Sequence, residues 1–289
     1  MITDTKKPFF SIRKAKAVEQ RYESDLIKIS QEIGNIVKTN FDPDNINTTK
    51  HIINKLKEYS DKVKTWAKKA SNKMIIPLNN QAEEEWKEHS KKMSFLMKQE
   101  LKKTDVGKLL KEYMDDNVKL ITSLPLDAAK RIHKIVQANL YEGKYRAKTI
   151  AREILKTEAV SKSLAMTIAR TEVSRVATGL VKIRSEAVDI NWFVWHSTHD
   201  ISVRKSHKLM DKVLCEWKNP PSPEELAGEK KSYGKYLPGS IFNCRCRAAP
   251  LIRVDDVTWP AKVHIDGKIR LMQRDKFIKI KEGEYKKAA

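Results

Sequence analysis

The sequence predicts an α+β protein, in which a long, mainly helical N-terminal region is followed by a small α+β C-terminal domain with a short antiparallel sheet. Apolar residues recur at helical spacing through most of residues 11–187. After Val188 the pattern changes to the aromatic, strand-forming run "INWFVWHS", and prolines and glycines become frequent. Near the C-terminus, "VHIDGKIRLM" has the pattern of a β-hairpin that turns at Asp266–Gly267.

Seven helices are expected before Val188. The first ends at "FDPDNINTT", a run that interrupts the apolar spacing. Pro125 is expected to end the fourth helix and Gly143 the fifth, because proline disfavours the helical conformation before it and glycine favours the position after a helix end. The expected helices cover residues 11–40, 49–70, 81–102, 104–125, 127–143, 144–155 and 161–187.

Two strands are expected in the C-terminal domain before the hairpin, at "INWFVWHS" and at "SIFNCRCRAAPLI". The long polar segment "NPPSPEELAGEKKSYGKYLPG" precedes the second strand. One helical turn is expected within it, near Glu224–Leu226.

Charge and cysteine content narrow the function classes. The chain carries 58 Lys and Arg against 37 Asp and Glu, a formal net charge of +21. A positive electrostatic field favours binding to polyanions such as DNA, RNA or an acidic protein surface; a lysine-rich helical protein without such a partner is the alternative.

Three cysteines are too few for a disulfide framework and indicate a reducing compartment. No secretory signal and no run of about 18 apolar residues is visible.

Two of the three cysteines lie one residue apart, in "NCRCR". In an extended strand, Cys244 and Cys246 share one apolar face with Phe242. Asn243 and Arg245 then lie on the opposite, cationic face. A disulfide between such close cysteines would be strained, and the expected compartment disfavours it. Buried free thiols and a structural zinc site both stay open.

The zinc interpretation needs ligands from elsewhere in the chain. Two thiolates and one imidazole, with a fourth donor, make a zinc site of the mixed Cys/His type. The spacing is its weakness, because a strand separates the two cysteine α-carbons by about 6.6 Å. The candidate ligands are Cys244, Cys246 and His207, with His196, His199 or Cys215 as the fourth.

The stretch "WHSTHDISVRKSHKLMDKVL" holds a second group of candidate residues. Asp200 is expected to cap a helix from Ile201 to Met210. On that helix, Asp200, Arg204 and His207 would share one face. They suit a nuclease, with His207 as general base and Arg204 holding a phosphate. An ordinary cap and ion pair is the alternative interpretation.

Three blocks of this sequence, in this order, resemble the phage Mu protein F-like family. They are "IARTEVSRVATG" (168–179), "WHSTHDISVRKSHKLMDKVL" (195–214) and "LPGSIFNCRCRAAP" (237–250), and the resemblance covers roughly residues 120–252. Family members are minor head proteins of tailed phages, also called phage head morphogenesis proteins. The chain departs from the family at Met210, Asp211 and Lys212, where members often have Leu-Asp-Gly. The residues that match the family motif are Arg170, Thr171, Glu172, Trp195, Asp200, Arg204, His207, Asn243, Cys244, Arg245 and Cys246.

The resemblance implies a protein present in few copies inside the assembling head, near the portal. It would be found in the virion or procapsid interior, and in the bacterial host cytoplasm during assembly. Portal, capsid and scaffold proteins would be its partners, with non-specific contact to DNA and no membrane. Neither catalysis nor a cofactor is implied.

The chain divides accordingly into a helical arm or portal-binding region (1–120), the head morphogenesis domain (121–252) and a short, basic, β-rich tail (253–289). Some relatives carry an appended toxin domain. The 37 residues after Ile252 are expected to be too few for an enzyme domain.

Two other functions compete with head assembly. One is a small nuclease-like enzyme that uses His207, Arg204, Arg245 and Asp200. The other is a zinc-stabilised module that binds nucleic acid.

Overall fold

The computed structural model describes residues 12–43, 45, 47–90, 99, 106–142, 147–199 and 201–282. The chain forms two compact units, each assembled from separate stretches of sequence. The first, called here the helical unit, comprises residues 16–77 and 107–173. The second, the sheet unit, comprises residues 1–15, 78–106 and 174–289. The predicted division at residues 120 and 252 concerns functional regions and stays a prediction.

Six helices precede the sheet among the described residues, and apolar spacing predicted a mainly helical region here. Their bounds are α1 Ile12–Asn40, α2 Thr48–Lys62, α3 Lys64–Ser90, α4 Gly107–Glu142, α5 Ala147–Leu155 and α6 Thr157–Glu186. Three short helices follow, α7 Lys205–Leu209, α8 Pro223–Leu226 and α9 Arg274–Lys281. The predicted helical turn near Glu224–Leu226 is α8. No helix among the described residues has the length and apolar composition needed to cross a bilayer.

Pro125 was expected to end a helix, and Pro77 lies in the expected gap between the second and third helices, but both prolines lie inside helices. Pro77 lies within α3 and Pro125 within α4. A proline inside a helix removes one backbone hydrogen bond, at a cost of about 3 kcal/mol. Buried side chains close to each proline, such as Ile75 and Leu124, oppose that cost because their burial requires the helix to continue.

Other predicted helix boundaries also differ from the structure. The second predicted helix is interrupted at Val63, and the predicted loop at 157–160 is reduced to Lys156. Glu158 lies in the first turn of α6, where a negative charge favours helix formation. The expected end at Gly143 and most of residues 91–102 lie outside the described residues.

The described residues form one five-stranded sheet in the order β3-β1-β2-β4-β5. The strands are β1 Trp192–His196, β2 Leu214–Glu216, β3 Arg247–Pro250, β4 Ala261–Ile265 and β5 Lys268–Met272. The β1–β2, β1–β3 and β4–β5 pairs are antiparallel, in keeping with the predicted antiparallel sheet, although β2 itself was not predicted. The β2–β4 pair is parallel, with Leu214 opposite Val263, so the sheet is mixed. The long connection between β2 and β4 permits this parallel pairing.

The C-terminal segment completes this sheet. Strands β4 and β5 turn at Asp266 and Gly267, both with positive φ, which confirms the predicted hairpin. Helix α9 was not predicted, and its Phe277 is fully buried in the main apolar cluster of the sheet unit. That cluster contains Trp192, Leu214, Leu251, Ala261, Val263, Met272 and Phe277.

Candidate functional site

A turn, not a strand, carries the two neighbouring cysteines. In this cysteine turn (residues 241–246), the Cys244 N–H donates to the Ile241 carbonyl at 3.0 Å, and Asn243 has φ of 55°. Strand β3 begins only at Arg247, so the predicted alternation of side chains across a strand is wrong here. Phe242 is 42% exposed, whereas Cys244 and Cys246 are 2% and 3% exposed. The objection to a shared zinc site assumed that the two cysteines lie in an extended strand. Because they lie in a turn, that objection does not apply.

His207 contacts both cysteines. Its Nδ1 lies 3.6 Å from Cys244 Sγ and 3.4 Å from Cys246 Sγ. The imidazole comes from the short helix α7 and is 2% exposed. The ligand atoms of these three side chains all lie within 4.8 Å of one another. We refer to His207, Cys244 and Cys246 as the thiol–imidazole cluster.

A hydrogen-bonded chain extends from the other ring nitrogen of His207. Its Nε2 lies 2.9 Å from Tyr236 Oη, and that hydroxyl donates to Glu224 Oε1 at 2.7 Å. Burial, followed by the hydrogen bond to Glu224, raises the pKa of Tyr236, so the phenol keeps its proton. Because that proton goes to Glu224, the phenol oxygen accepts the Nε2–H of His207. In the neutral imidazole, Nδ1 is then bare and faces the two sulfurs.

Hydrogen-bond donors also surround the sulfurs. The Gly239 N–H donates to Cys244 Sγ at 3.3 Å. A hydrogen bond from Cys246 lowers the pKa of Cys244 to about 4, and the same interaction raises the pKa of Cys246. The nearby Trp195 indole N–H favours a thiolate at Cys246 and so opposes part of the rise in its pKa. Within the described residues, the indole nitrogen makes no conventional hydrogen bond. The surroundings therefore favour a thiolate at Cys244, whereas Cys246 keeps its proton and shares it with the Cys244 sulfur.

Helix α6 holds the loop before the cysteine turn. Thr178 Oγ1 donates to the Pro238 carbonyl at 2.8 Å. Gly239 has φ of 81°, and a Cβ there would lie 3.1 Å from the Ser174 carbonyl oxygen and 3.2 Å from that of Cys246. Only glycine suits both this conformation and this close approach.

We therefore expect Gly239→Ala to lower the free energy of unfolding by about 1–3 kcal/mol. Urea denaturation followed by circular dichroism measures the change. Gly228→Ala is the matched control, because Gly228 also has positive φ but a Cβ there would meet nothing within 4 Å. Equal losses in both variants would show that the contact with α6 contributes nothing.

Arg204 and Arg245 join segments of the chain, and Arg204 does not share a helix with His207 as predicted. The predicted helix Ile201–Met210 is wrong in its first half, because α7 begins at Lys205 and the Arg204 backbone is extended. Arg204 Nη2 donates to the Phe242 carbonyl at 3.0 Å, and its guanidinium lies 4.6 Å from the Phe242 ring centroid. Arg245 Nη2 donates to Ser202 Oγ at 3.1 Å. Asp200, the predicted cap, lies outside the described residues.

The three residues proposed as a fourth zinc ligand lie apart from the thiol–imidazole cluster. Cys215 is buried in β2, where its thiol points to the Val213 carbonyl. His196 lies in β1 opposite Arg247. His199 is largely exposed, with Nε2 3.6 Å from Asp211 Oδ2. The expectation that one of them completes the site is wrong.

Arg170, Thr171 and Glu172 belong to the helical unit. Glu172 Oε2 accepts from Asn117 Nδ2 at 3.2 Å, and Asn117 Oδ1 accepts from Tyr22 at 2.8 Å. Burial, and then the charge of Glu172, raises the pKa of Tyr22. Arg170 Nε lies 3.7 Å from Glu19. This buried network joins α1, α4 and α6, and its partners from α1 and α4 have no distinctive spacing that sequence reasoning could use.

The contacts explain why the sequence blocks occur together. His207 from the middle block meets the cysteines of the last block, and Arg204 and Arg245 join the same two blocks. Within the sheet unit, Thr178 of the first block bonds to the last block. The sequence reasoning did not identify Tyr236, Glu224 or Gly239, because only the fold brings them to the cluster.

Comparisons with known proteins agree with these blocks. Residues 130–249 match the model of a family described as "Phage Mu protein F like protein". A Haemophilus influenzae (strain ATCC 51907 / DSM 11121 / KW20 / Rd) protein described as "Uncharacterized protein" is 29% identical over 136 residues. That alignment spans 47% of this chain and 28% of the relative. No solved structure matches significantly. The prediction from the three sequence blocks is therefore confirmed: over residues 130–249 this chain is similar to the phage Mu protein F-like family.

Proposed function

We propose that this chain is a minor capsid protein of a phage or prophage that acts in head morphogenesis. The observation that carries the proposal is the family match over residues 130–249. Support comes from the sheet unit, in which a residue of the first block and a residue of the middle block each contact the last block through buried groups. Contacts of this kind are consistent with a folded domain used for assembly.

Within the head, we place the chain inside the procapsid, in contact with the portal protein through residues 1–120. The described helices of this region carry many exposed lysines. Capsid or scaffold proteins are further partners in this proposal.

The portal contact is tested by expressing the full chain with the portal protein of the same phage or prophage. We expect the two proteins to purify together, and lysine cross-linking with mass spectrometry to join the portal to lysines within residues 1–120. Cross-links confined to residues 121–289 would contradict the proposed surface. Failure to co-purify, together with normal heads after deletion of the gene, would contradict the function itself.

Non-specific DNA contact is part of the proposal because the net charge is +21. If about four phosphates are neutralised, the affinity for duplex DNA should fall about 100-fold between roughly 50 and 200 mM salt. Fluorescence anisotropy with two duplexes of unrelated sequence measures both the salt dependence and the lack of sequence preference. Binding that does not change with salt would argue against an electrostatic role.

The nuclease alternative requires His207 to reach a substrate. The imidazole is 2% exposed and both its ring nitrogens face protein groups. Arg204 and Arg245 hold two chain segments together. We infer from this arrangement that the cluster serves structure and not catalysis. Incubation of the protein with DNA and RNA, with and without Mg²⁺, tests this; turnover that His207→Ala abolishes would overturn the inference.

A further inference from the structure

We propose that Cys244 Sγ, Cys246 Sγ and His207 Nδ1 bind one Zn²⁺ ion, which joins the cysteine turn to helix α7. Two thiolates and an imidazole are donors that Zn²⁺ prefers. The three residues come from two segments separated by more than thirty positions, and only the fold brings them together.

The distances within the cluster fit a tetrahedral ion. With Zn–S near 2.3 Å and Zn–N near 2.0–2.1 Å, tetrahedral angles place a sulfur and a nitrogen ligand about 3.6 Å apart. The observed separations from His207 Nδ1 are 3.6 Å to Cys244 Sγ and 3.4 Å to Cys246 Sγ. Both sulfurs therefore lie at the distance from Nδ1 that one shared ion requires, and the two sulfurs lie within 4.8 Å of each other.

The second ring nitrogen of His207 has the outer contact expected of a metal ligand. Metal-binding histidines commonly donate their other N–H to a carboxylate, a carbonyl or water, which fixes the tautomer. Here Nε2 donates to Tyr236, and Tyr236 donates to the fully buried Glu224. The bare Nδ1 is thereby directed at the sulfurs.

The burial of the thiol–imidazole cluster also favours a bound cation. Binding of Zn²⁺ releases the thiol protons, and the charge of one Zn²⁺ then balances both buried thiolates. The Gly239 N–H on Cys244 stabilises a coordinated sulfur. Three protein ligands leave the fourth position to water or another small ligand. Because each ligand side chain is nearly inaccessible, we assign the ion a structural role.

Metal content of the full-length wild-type protein, purified in reducing buffer without chelator, tests the site directly. Elemental analysis should find close to one zinc per chain. After the metal is removed, Co²⁺ should restore a thiolate-to-cobalt charge-transfer band, and Zn²⁺ should raise the melting temperature. The Cys244→Ala and Cys246→Ala variants should each lose the bound zinc. Cys215→Ala is the matched control, since it removes a buried thiol that lies apart from the cluster, and it should keep the zinc.

Tyr236→Phe tests the hydrogen-bonded chain. It removes the hydroxyl that holds His207, and we expect the Zn²⁺ dissociation constant to rise about 10–100-fold with one ion still bound. An unchanged constant would show that Tyr236 does not position the ligand. These measurements need no portal protein, so they are independent of the proposed function. Wild-type protein that binds neither Zn²⁺ nor Co²⁺, and whose melting temperature does not respond to chelator or Zn²⁺, would overturn the proposal even if the cysteine variants fail to fold.

Discussion

Replacing Trp195 with alanine should lower the free energy of unfolding of the sheet unit by about 3–5 kcal/mol. The indole is fully buried in β1, and its ring centroid lies 5.8 Å from that of His207 and 6.2 Å from that of Tyr236. The substitution leaves a cavity beside the thiol–imidazole cluster, which neighbouring side chains can fill only in part. Urea denaturation, followed by the fluorescence of the remaining tryptophans, measures the loss.

Tyr233→Ala is the control for Trp195→Ala. Tyr233 is an aromatic residue of the same unit, but it is 40% exposed and packs edge to face on the exposed Phe242 ring. We expect its removal to cost less than about 1 kcal/mol. If Trp195→Ala cost no more than this control, the buried position of the indole beside the cluster would be contradicted.

A loss of similar size, about 3–5 kcal/mol, is expected for Phe277→Ala. Phe277 lies in α9, beyond the family match at 130–249, and is fully buried. Its ring centroid lies 5.0 Å from that of Trp192 in β1 and 5.2 Å from that of Trp259. If the C-terminal segment is part of the sheet unit's core, its truncation should destabilise the entire unit.

Leu271→Ala in β5 serves as the comparison for Phe277→Ala. It removes an apolar side chain from the same C-terminal segment, but Leu271 is 69% exposed. Its effect should stay within about 0.5 kcal/mol. A small effect of Phe277→Ala, equal to that of Leu271→Ala, would show that residues 253–289 are an appendage and not a structural part of the sheet.

Sequence patterns predicted some elements of the fold better than others. The helices and the Asp266–Gly267 turn were predicted because they depend on neighbours within a few positions. Pro125 misled the boundary between the fourth and fifth predicted helices, because the burial of neighbouring side chains outweighed a local preference. The strand predicted through Cys244 was wrong because Asn243 adopts a left-handed conformation that its neighbours do not specify.

The candidate site was predicted in part. His207, Cys244 and Cys246 were selected by residue type, and the fold brings their ligand atoms within 4.8 Å of one another; that they bind a metal stays a prediction. The choice of His196, His199 or Cys215 as a further ligand was wrong, since the sequence does not report which histidine faces the cysteines. Arg204 was assigned to a phosphate on the basis of a helix that does not include it.

Local composition alone was enough to specify the helix-to-sheet order, the hairpin, the positive charge and the family blocks. The tertiary fold was needed to bring His207 between two sulfurs, to connect Tyr236 and Glu224 behind it, and to pair β2 with β4 in parallel. The physical reason is range: turns and helices form from interactions over a few residues. A buried polar cluster instead forms between groups that are distant in sequence, because each buried polar group needs a hydrogen-bond partner in the folded chain.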